Sequence, residues 1–459
     1  MINSVLHSIK FSIFRRAFVC VLFLSATSYG QNKEDSLASY TQLPVSLDSI
    51  RIDKADYKDK LQGFWLGQSI ANWTGLTTEM DKVGDLGDMP SGKFYTRGDW
   101  GKKDLPNIWE KKEGKIVNRT IDFILRSPGE IWGSDDDTDI EYIYQELLIE
   151  NKTSLLTPVQ IKNGWIKHIK KEEENYLWVA NQEALNLMYK GVLPPETGSQ
   201  KLNKFYDMID AQLTTEIFGL YSPGNSNFAK KMAWLPIRTV ASNEAILISE
   251  FYVEMHSLTS AVDTSFSQEK QLNWIADQAR LNLPDSTYPA KMYDFVWGKF
   301  KSGYTWEQTR DSVYVRYQVN QKDGYDVTNR NLHCNGCFAA GINFAASLVS
   351  LFYGKGDLVE TIKIGTLTGW DSDNPTATWG GLIGFMYGAE KIEGVFGMKL
   401  SHQYNIHRTR INFPNEGLDT FESMGSKGLK IIDRVVVEHL NGRVDKVNNV
   451  WVIPAAVIH

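Results

Sequence analysis

The pattern of hydrophobic and polar positions predicts a chain that is mainly α-helical. From Tyr57 onwards, apolar and small residues recur at three- and four-residue spacing, which is the period of a helix with one buried face. The same spacing predicts further helices over 139–150, 158–170, 175–189, 203–219, 240–262, 266–281, 289–301, 305–318, 336–353, 358–367 and 375–388. The segment 336–353 is apolar on nearly every side, which indicates a buried central helix.

The helical spacing of hydrophobic positions is absent at both ends of the chain and in one internal segment. Residues 31–54 are polar and predict a leader, 55–400 form the predicted all-α domain, and 80–130 are rich in Gly and Lys, which predicts an irregular or β-containing excursion. Beyond residue 400, VVVEH (435–439) and WVIP (451–454) predict short strands. We therefore expect 401–459 to be a small β-containing C-terminal appendage.

The first thirty residues have the pattern of a secretory signal peptide. A basic start with Lys10, Arg15 and Arg16 precedes the apolar run AFVCVLFLS, and small residues come just before Gln31. The apolar run is too short for a stable membrane anchor, and later segments do not offer about 18 uninterrupted apolar residues. We expect an exported protein, periplasmic or extracellular, that begins near Gln31 and is not inserted in a membrane.

Net charge and cysteine content restrict the possible partners and the chemistry of the chain. A formal net charge of −6 without a basic run argues against nucleic acid as a partner. The partner that we expect is a small-molecule or glycan substrate. The sequence does not determine the oligomeric state. Outside the signal peptide only Cys334 and Cys337 remain, as Cys-x-x-Cys, and they fit a local disulfide, a redox pair or two structural cysteines.

Two acidic turns carry the candidate chemistry. The first, Asp135-Asp136-Asp137, precedes a predicted helix, and three adjacent carboxylates repel one another unless they are solvated, cap the helix or bind a cation. The second contains Asp371 and Asp373, whose alternate carboxylates can point to one side of an extended turn. Each turn alone is also compatible with a simple helix cap. Together they would form a carboxylate site for Mg²⁺ or Mn²⁺.

These motifs occur in an order that resembles the ADP-ribosylglycohydrolase family, over roughly residues 57–400. The similarity lies in Asp59–Glu79 with its spaced glycines, in Asp135–Ile140 and in Gly369–Gly388, and the segment from Ile209 to Asn225 resembles a bacterial branch of that family. The resemblance implies an orthogonal multi-helix fold with two Mg²⁺ or Mn²⁺ ions. It implies that Asp136 and Asp137 bind metal from one side and Asp371 and Asp373 from the other, and that Glu79 is catalytic.

The chain departs from the family pattern within both acidic turns. Asp135 stands where relatives usually have Thr, and we expect it to add a metal ligand; Asn374 stands where relatives often have Thr, and we expect it to contact substrate. We expect Glu79 or Asp136 to accept the proton of the attacking water. Aromatic residues such as Trp73, Trp370 and Trp65 are candidates for stacking on a sugar or adenine, although packing in the core is the commoner role.

Three functions remain open at this point. The first is hydrolysis of an N- or O-glycosidic bond in an ADP-ribosyl or related ribosyl or furanosyl compound. The second is a periplasmic glycosidase that degrades glycans with the same metal site. The third is a family member that binds a carbohydrate or nucleotide without cleaving it, which the substitutions at Asp135 and Asn374 would allow.

Overall fold

A computed structural model describes residues 49–85, 91–104, 120–171, 175–330 and 332–455. The predicted signal peptide and most of the predicted polar leader lie outside these residues. The described helices run in chain order as α1 Lys54–Gly75, α2 Asp136–Glu150, α3 Pro158–His168, α4 Val179–Tyr189, α5 Ile217–Leu220, α6 Ser226–Arg238, α7 Glu244–Leu258, α8 Gln268–Leu281, α9 Tyr288–Lys301, α10 Trp306–Val313, α11 Ala340–Gly354, α12 Leu358–Thr368, α13 Asp373–Tyr387, α14 Ala389–Phe396 and α15 Phe421–Glu438. The prediction of an all-α core is confirmed.

Two small sheets accompany the helices. The strands are β1 Ser49–Asp53, β2 Trp132–Gly133, β3 Gln403–Asn405, β4 Leu418–Thr420, β5 Arg443–Asp445 and β6 Val450–Pro454. In the first sheet β6 lies between β1 and β5 and is antiparallel to both, with Ile52 opposite Trp451. In the second, β3 is parallel to β2 and antiparallel to β4. Residues 49–53, predicted as the end of a polar leader, therefore form a strand of this sheet.

The closest helix contact is formed by α1 and α13, whose facing positions are glycines. A Cβ atom on Gly67 would lie 2.2 Å from the carbonyl oxygen of Gly380, and one on Gly384 would lie 2.3 Å from that of Gly63. Such distances require glycine, because no neighbouring backbone atom can move away. The spaced glycines that the sequence shows in both helices thus let the two backbones touch.

Two predicted elements were wrong. The segment 203–219, predicted as one helix, forms turns with a 3₁₀ turn at Ile209–Ala211 and ends in the short α5. The VVVEH segment, predicted as a strand, forms the last turns of α15, because Ile431, Ile432, Val435 and Val436 are buried at helical spacing. Helix α15 packs on α1, so the C-terminal region is continuous with the helical body. WVIP is a strand, as predicted.

Candidate metal centre

The first acidic turn is built by strand β2 and the start of α2. Asp135 is the N-cap of α2: its carboxylate accepts the backbone N–H of Asp136 at 3.0 Å, and its own N–H bonds the Thr138 hydroxyl at 3.2 Å. This reciprocal cap fixes the turn and places Asp136 and Asp137 in the first helical turn. Both are nearly buried, with 4% and 2% of their surface exposed.

The second acidic turn is held by backbone contacts. The N–H of Trp370 bonds the carbonyl of Lys82 at 2.9 Å, and the carbonyl of Trp370 accepts the N–H of Met80 at 2.7 Å. Gly369 has a φ of +96°, and a Cβ atom there would lie 2.5 Å from the Lys82 carbonyl oxygen, so glycine is required. These contacts bring Glu79 alongside Asp371.

Helix α1 also contacts the second turn at its C-terminal end. A Cβ atom on Gly75 would lie 2.5 Å from the Cα of Asp373, and the hydroxyl of Ser372 donates to the Gly75 carbonyl at 3.0 Å. The hydroxyl of Thr78 bonds that of Ser372 at 2.9 Å. The last glycine of the α1 series therefore sets the position of a candidate metal ligand as well as the helix contact.

The carboxylates of the two turns form two groups that share one residue. Oxygen atoms of Glu79, Asp371 and Asp373 lie within 4.8 Å of one another, and so do oxygen atoms of Asp135, Asp137 and Asp373. Asp136 is in neither group, but it is buried beside them and its Oδ2 has no hydrogen-bond partner. One oxygen of Asp373 also lacks a partner. The structure thus brings together four of the five predicted metal ligands, and it adds Glu79 to them. The fifth predicted ligand, Asp136, lies beside the two groups.

The electrostatics of this cluster favour a bound cation. Burial, followed by repulsion from neighbouring carboxylates, raises the pKa of Glu79, Asp136, Asp137, Asp371 and Asp373 well above the usual range. Among the described residues, these carboxylates form no ion pair with Lys, Arg or His. Hard oxygen ligands, buried and without a cationic partner, are the donor set that Mg²⁺ and Mn²⁺ bind. The residues present therefore fit the metal that the sequence implies.

Residues 53–417 match the family described as ADP-ribosylglycohydrolase. The chain belongs to the ADP-ribosylglycohydrolase family. A solved structure titled "ADP-ribosylglycohydrolase-related protein complex" is similar at 16% sequence identity, with 82% of this chain and 98% of that chain covered and a TM-score of 0.47. No curated protein matches the sequence. Membership in this family implies a hydrolase.

In this member of the ADP-ribosylglycohydrolase family, three of the four predicted substrate contacts are buried. Trp370 is 0% exposed and donates its indole N–H to Gln318 at 2.6 Å, and Trp65 is equally buried. Asn374 is 1% exposed and donates to the Oδ1 of Asp137 at 2.8 Å. These side chains therefore present almost no surface to a substrate. Trp73 is half-buried and bonds the Gly133 carbonyl at 2.9 Å, which leaves part of its ring available.

Sequence reasoning missed the amides that orient the carboxylates. Asn72 donates to the Oδ2 of Asp137 at 2.8 Å, opposite Asn374, and Gln212 donates to the Asn374 oxygen at 3.3 Å. Both oxygens of Asp137 are thus fixed by amide groups. The sequence feature that could have indicated Asn72 is an uncharged polar residue on a helix face made mainly of small and apolar residues. That feature is weak evidence, because such residues also occur without a function.

The described helices are all too short or too polar to cross a lipid bilayer.

Proposed function

We propose that this protein is an exported, metal-dependent hydrolase that cleaves the N- or O-glycosidic bond of an ADP-ribosyl or related ribosyl compound. The observation that carries the proposal is the pair of carboxylate groups sharing Asp373, in a chain of the ADP-ribosylglycohydrolase family. Export rests on the composition of residues 1–30.

Two divalent ions fit the arrangement of the ligands. Glu79, Asp371 and Asp373 would hold one, and Asp135, Asp137 and Asp373 would hold the other, with Asp136 beside them. When bound, such ions supply Lewis acidity and coordination positions that vicinal sugar hydroxyls can occupy. Mg²⁺ and Mn²⁺ share this oxygen-rich coordination, and the ligand set alone does not choose between them.

The protein's own groups then act on water and on the sugar. Glu79 is 5% exposed, and one of its carboxylate oxygens lies within 4.8 Å of oxygens of Asp371 and Asp373, which puts a proton acceptor beside the proposed ion position. We assign Glu79 as the general base. The water oxygen forms the new bond to the anomeric carbon, the glycosidic bond breaks, and the water proton passes to Glu79 and then to the leaving nitrogen or oxygen.

Two amide residues keep the ligand side chains in place for this chemistry. Asn72 and Asn374 each donate to one oxygen of Asp137, so its carboxylate plane cannot rotate. Asn374 therefore serves as a positioning residue in this proposal. The half-buried Trp73, next to β2, is the aromatic residue best placed to flank a substrate ring, since Trp65 and Trp370 are fully buried.

Turnover by the purified mature protein tests the proposal. ADP-ribosyl-arginine, ADP-ribosyl-serine peptide and aryl furanosides should be assayed with Mn²⁺, with Mg²⁺ and with EDTA. We expect hydrolysis of a ribosyl substrate that EDTA abolishes and Mn²⁺ restores. Hydrolysis of the aryl furanosides alone would support the glycan-degrading alternative, and tight binding without turnover would support the non-catalytic one. Turnover that is unchanged in EDTA would contradict metal dependence.

The position of the mature N-terminus tests export separately. N-terminal sequencing of the protein from its native host should give a start near Gln31. A start at Met1 would contradict export while leaving the chemistry untouched.

A further inference from the structure

A disulfide loop lies directly before the buried helix α11. Cys334 and Cys337 are bonded to each other and are 1% and 0% exposed. The three residues from Cys334 to Gly336 all have positive φ angles, at +46°, +54° and +72°. Cys adopts this left-handed region reluctantly, whereas Asn and Gly accept it, so the conformation of Cys334 is held by the crosslink and its neighbours.

Asn343 connects this loop to the second acidic turn. Its side-chain nitrogen donates to the carbonyl oxygens of Cys337 and Ala339, at 2.8 and 3.0 Å. Its side-chain oxygen accepts the backbone N–H of Asp371 at 3.2 Å. Asn343 is 0% exposed in a largely apolar helix, so its two donor bonds fix the direction in which its oxygen points.

The same loop also supports the first acidic turn. Residues 338–340 form a bridge with 207–209, in which Ile209 donates its N–H to the Phe338 carbonyl at 3.1 Å. That segment leads into Gln212, whose amide holds Asn374, and Asn374 in turn holds Asp137. One loop thus lies behind both halves of the carboxylate site.

We propose that the Cys334–Cys337 loop is a positioning element of the metal centre, acting through the positioning residue Asn343. Without the disulfide the Cys337 carbonyl is no longer fixed, Asn343 can turn, and Asp371 moves relative to Asp373. The affinity of the site for divalent ions therefore depends on the disulfide. This inference rests on the proposed metal-dependent function and adds a control of that same site.

The test compares two disruptive variants with a matched control. Asn343→Ala removes the amide, and the double variant Cys334→Ser with Cys337→Ser removes the crosslink. Ser350→Ala is the control, because Ser350 lies on the same helix, is 0% exposed and donates a comparable bond to the Ser347 carbonyl at 2.9 Å away from the acidic turns. For each protein the Mn²⁺ dissociation constant is measured by titration calorimetry, and the melting temperature is measured without metal.

We expect Mn²⁺ to bind about tenfold more weakly or worse to both disruptive variants, as for other residues that orient metal ligands, and normally to the control. An unchanged Mn²⁺ affinity in folded Asn343→Ala would overturn the inference. If the double cysteine variant does not fold, Asn343→Ala decides alone. If the wild-type protein binds no Mn²⁺, the proposed function and this inference are both overturned. If the wild type binds Mn²⁺ and the disruptive variants bind it with the same affinity, only this inference is overturned.

Discussion

The two ends of helix α2 both bury acidic side chains, but they neutralise them differently. At the N-terminal end, Asp136 and Asp137 face Asp373 and have no ion-pair partner among the described residues, although Asp139 in the same turn pairs with Arg410 at 2.8 Å. At the C-terminal end, the Oε1 of Glu146 lies 2.5 Å from the Nζ of Lys427, which also contacts Asp419 at 2.6 Å. The helix dipole supplies only about half a positive charge at an N-terminus, which cannot balance several carboxylates.

The difference separates a binding site from a structural ion pair. Where a protein supplies a lysine, the buried acid stabilises the fold and needs nothing further. Where several buried carboxylates converge without a cation, the fold is complete only when a cation from solution is bound or protons are taken up. A third solution lies in the middle of α2, where Glu141 and Glu216 are buried beside each other, so that one proton can be shared between them.

The largest effect is expected from Asp373→Asn, because Asp373 belongs to both carboxylate groups. Asn keeps the shape of the Asp373 side chain but removes one ligand charge. The value of kcat/KM should therefore fall by at least about 10³-fold, which corresponds to about 4 kcal/mol of transition-state stabilisation. The metal-free melting temperature should not fall, since removing one of several repelling charges relieves the cluster. Steady-state kinetics and thermal melts in EDTA measure the two quantities.

Asp357→Asn is the matched control for that variant. Asp357 is exposed and caps α12 by accepting the N–H of Glu360 at 2.8 Å, a bond that Asn can replace. We expect wild-type turnover from it. Near wild-type turnover by Asp373→Asn would show that the catalytic cluster lies elsewhere.

The sequence alone predicted the acidic cluster at the N-terminal end of α2, but it did not predict the ion pair at the C-terminal end. Adjacent aspartates are visible in a sequence, as are glycines at regular spacing. The Lys427–Glu146 pair joins residues 281 positions apart, and nothing in the local pattern of either residue predicts the other. The same limit applies to Asn72 and Gln212, whose amide groups gain a role only through the fold.

Helix positions were largely predictable because burial repeats with the helical period. The prediction failed over 203–219, where the hydroxyls of Thr214 and Thr215 bond the carbonyls of Asp210 and Ala211 at 2.8 and 2.7 Å. Such short-range side-chain bonds compete with a regular helix. At VVVEH the local preference of valine for strands was overridden by burial of one helical face.

The second-largest effect is expected at the compensated end of α2, from Lys427→Met. It leaves Glu146 and Asp419 close together without their cation, and we expect a loss of about 2 kcal/mol, below the range for fully buried pairs because the lysine side chain is 21% exposed. Urea unfolding measures it, and turnover of the folded variant should be normal. Adding Glu146→Gln should recover part of the loss.

Lys399→Met provides the comparison for an exposed pair. The lysine side chain is 77% exposed opposite Glu393, so its removal should cost much less unfolding free energy than removal of Lys427. A similar cost for the two lysine variants would mean that Lys427 does not neutralise a buried acid, and the contrast between the ends of α2 would disappear.

The last comparison concerns the pair that can share a proton, and the expected effect is a pH dependence of the unfolding free energy. Burial raises the pKa of Glu216 to about 7, above its usual value near 4.5, although Thr378 donates to it at 2.8 Å. An acid with a raised pKa in the folded state stabilises the protein fully below the unfolded pKa, and this contribution is lost as the pH rises through the folded pKa. The wild type should therefore lose about 1 kcal/mol of unfolding free energy between pH 6 and pH 8 through Glu216.

Glu216→Gln cannot ionise there and should show a correspondingly shallower slope in urea titrations with EDTA present. Equal slopes for the two proteins would mean that Glu216 does not titrate between pH 6 and pH 8, which would contradict the raised pKa on which this comparison depends.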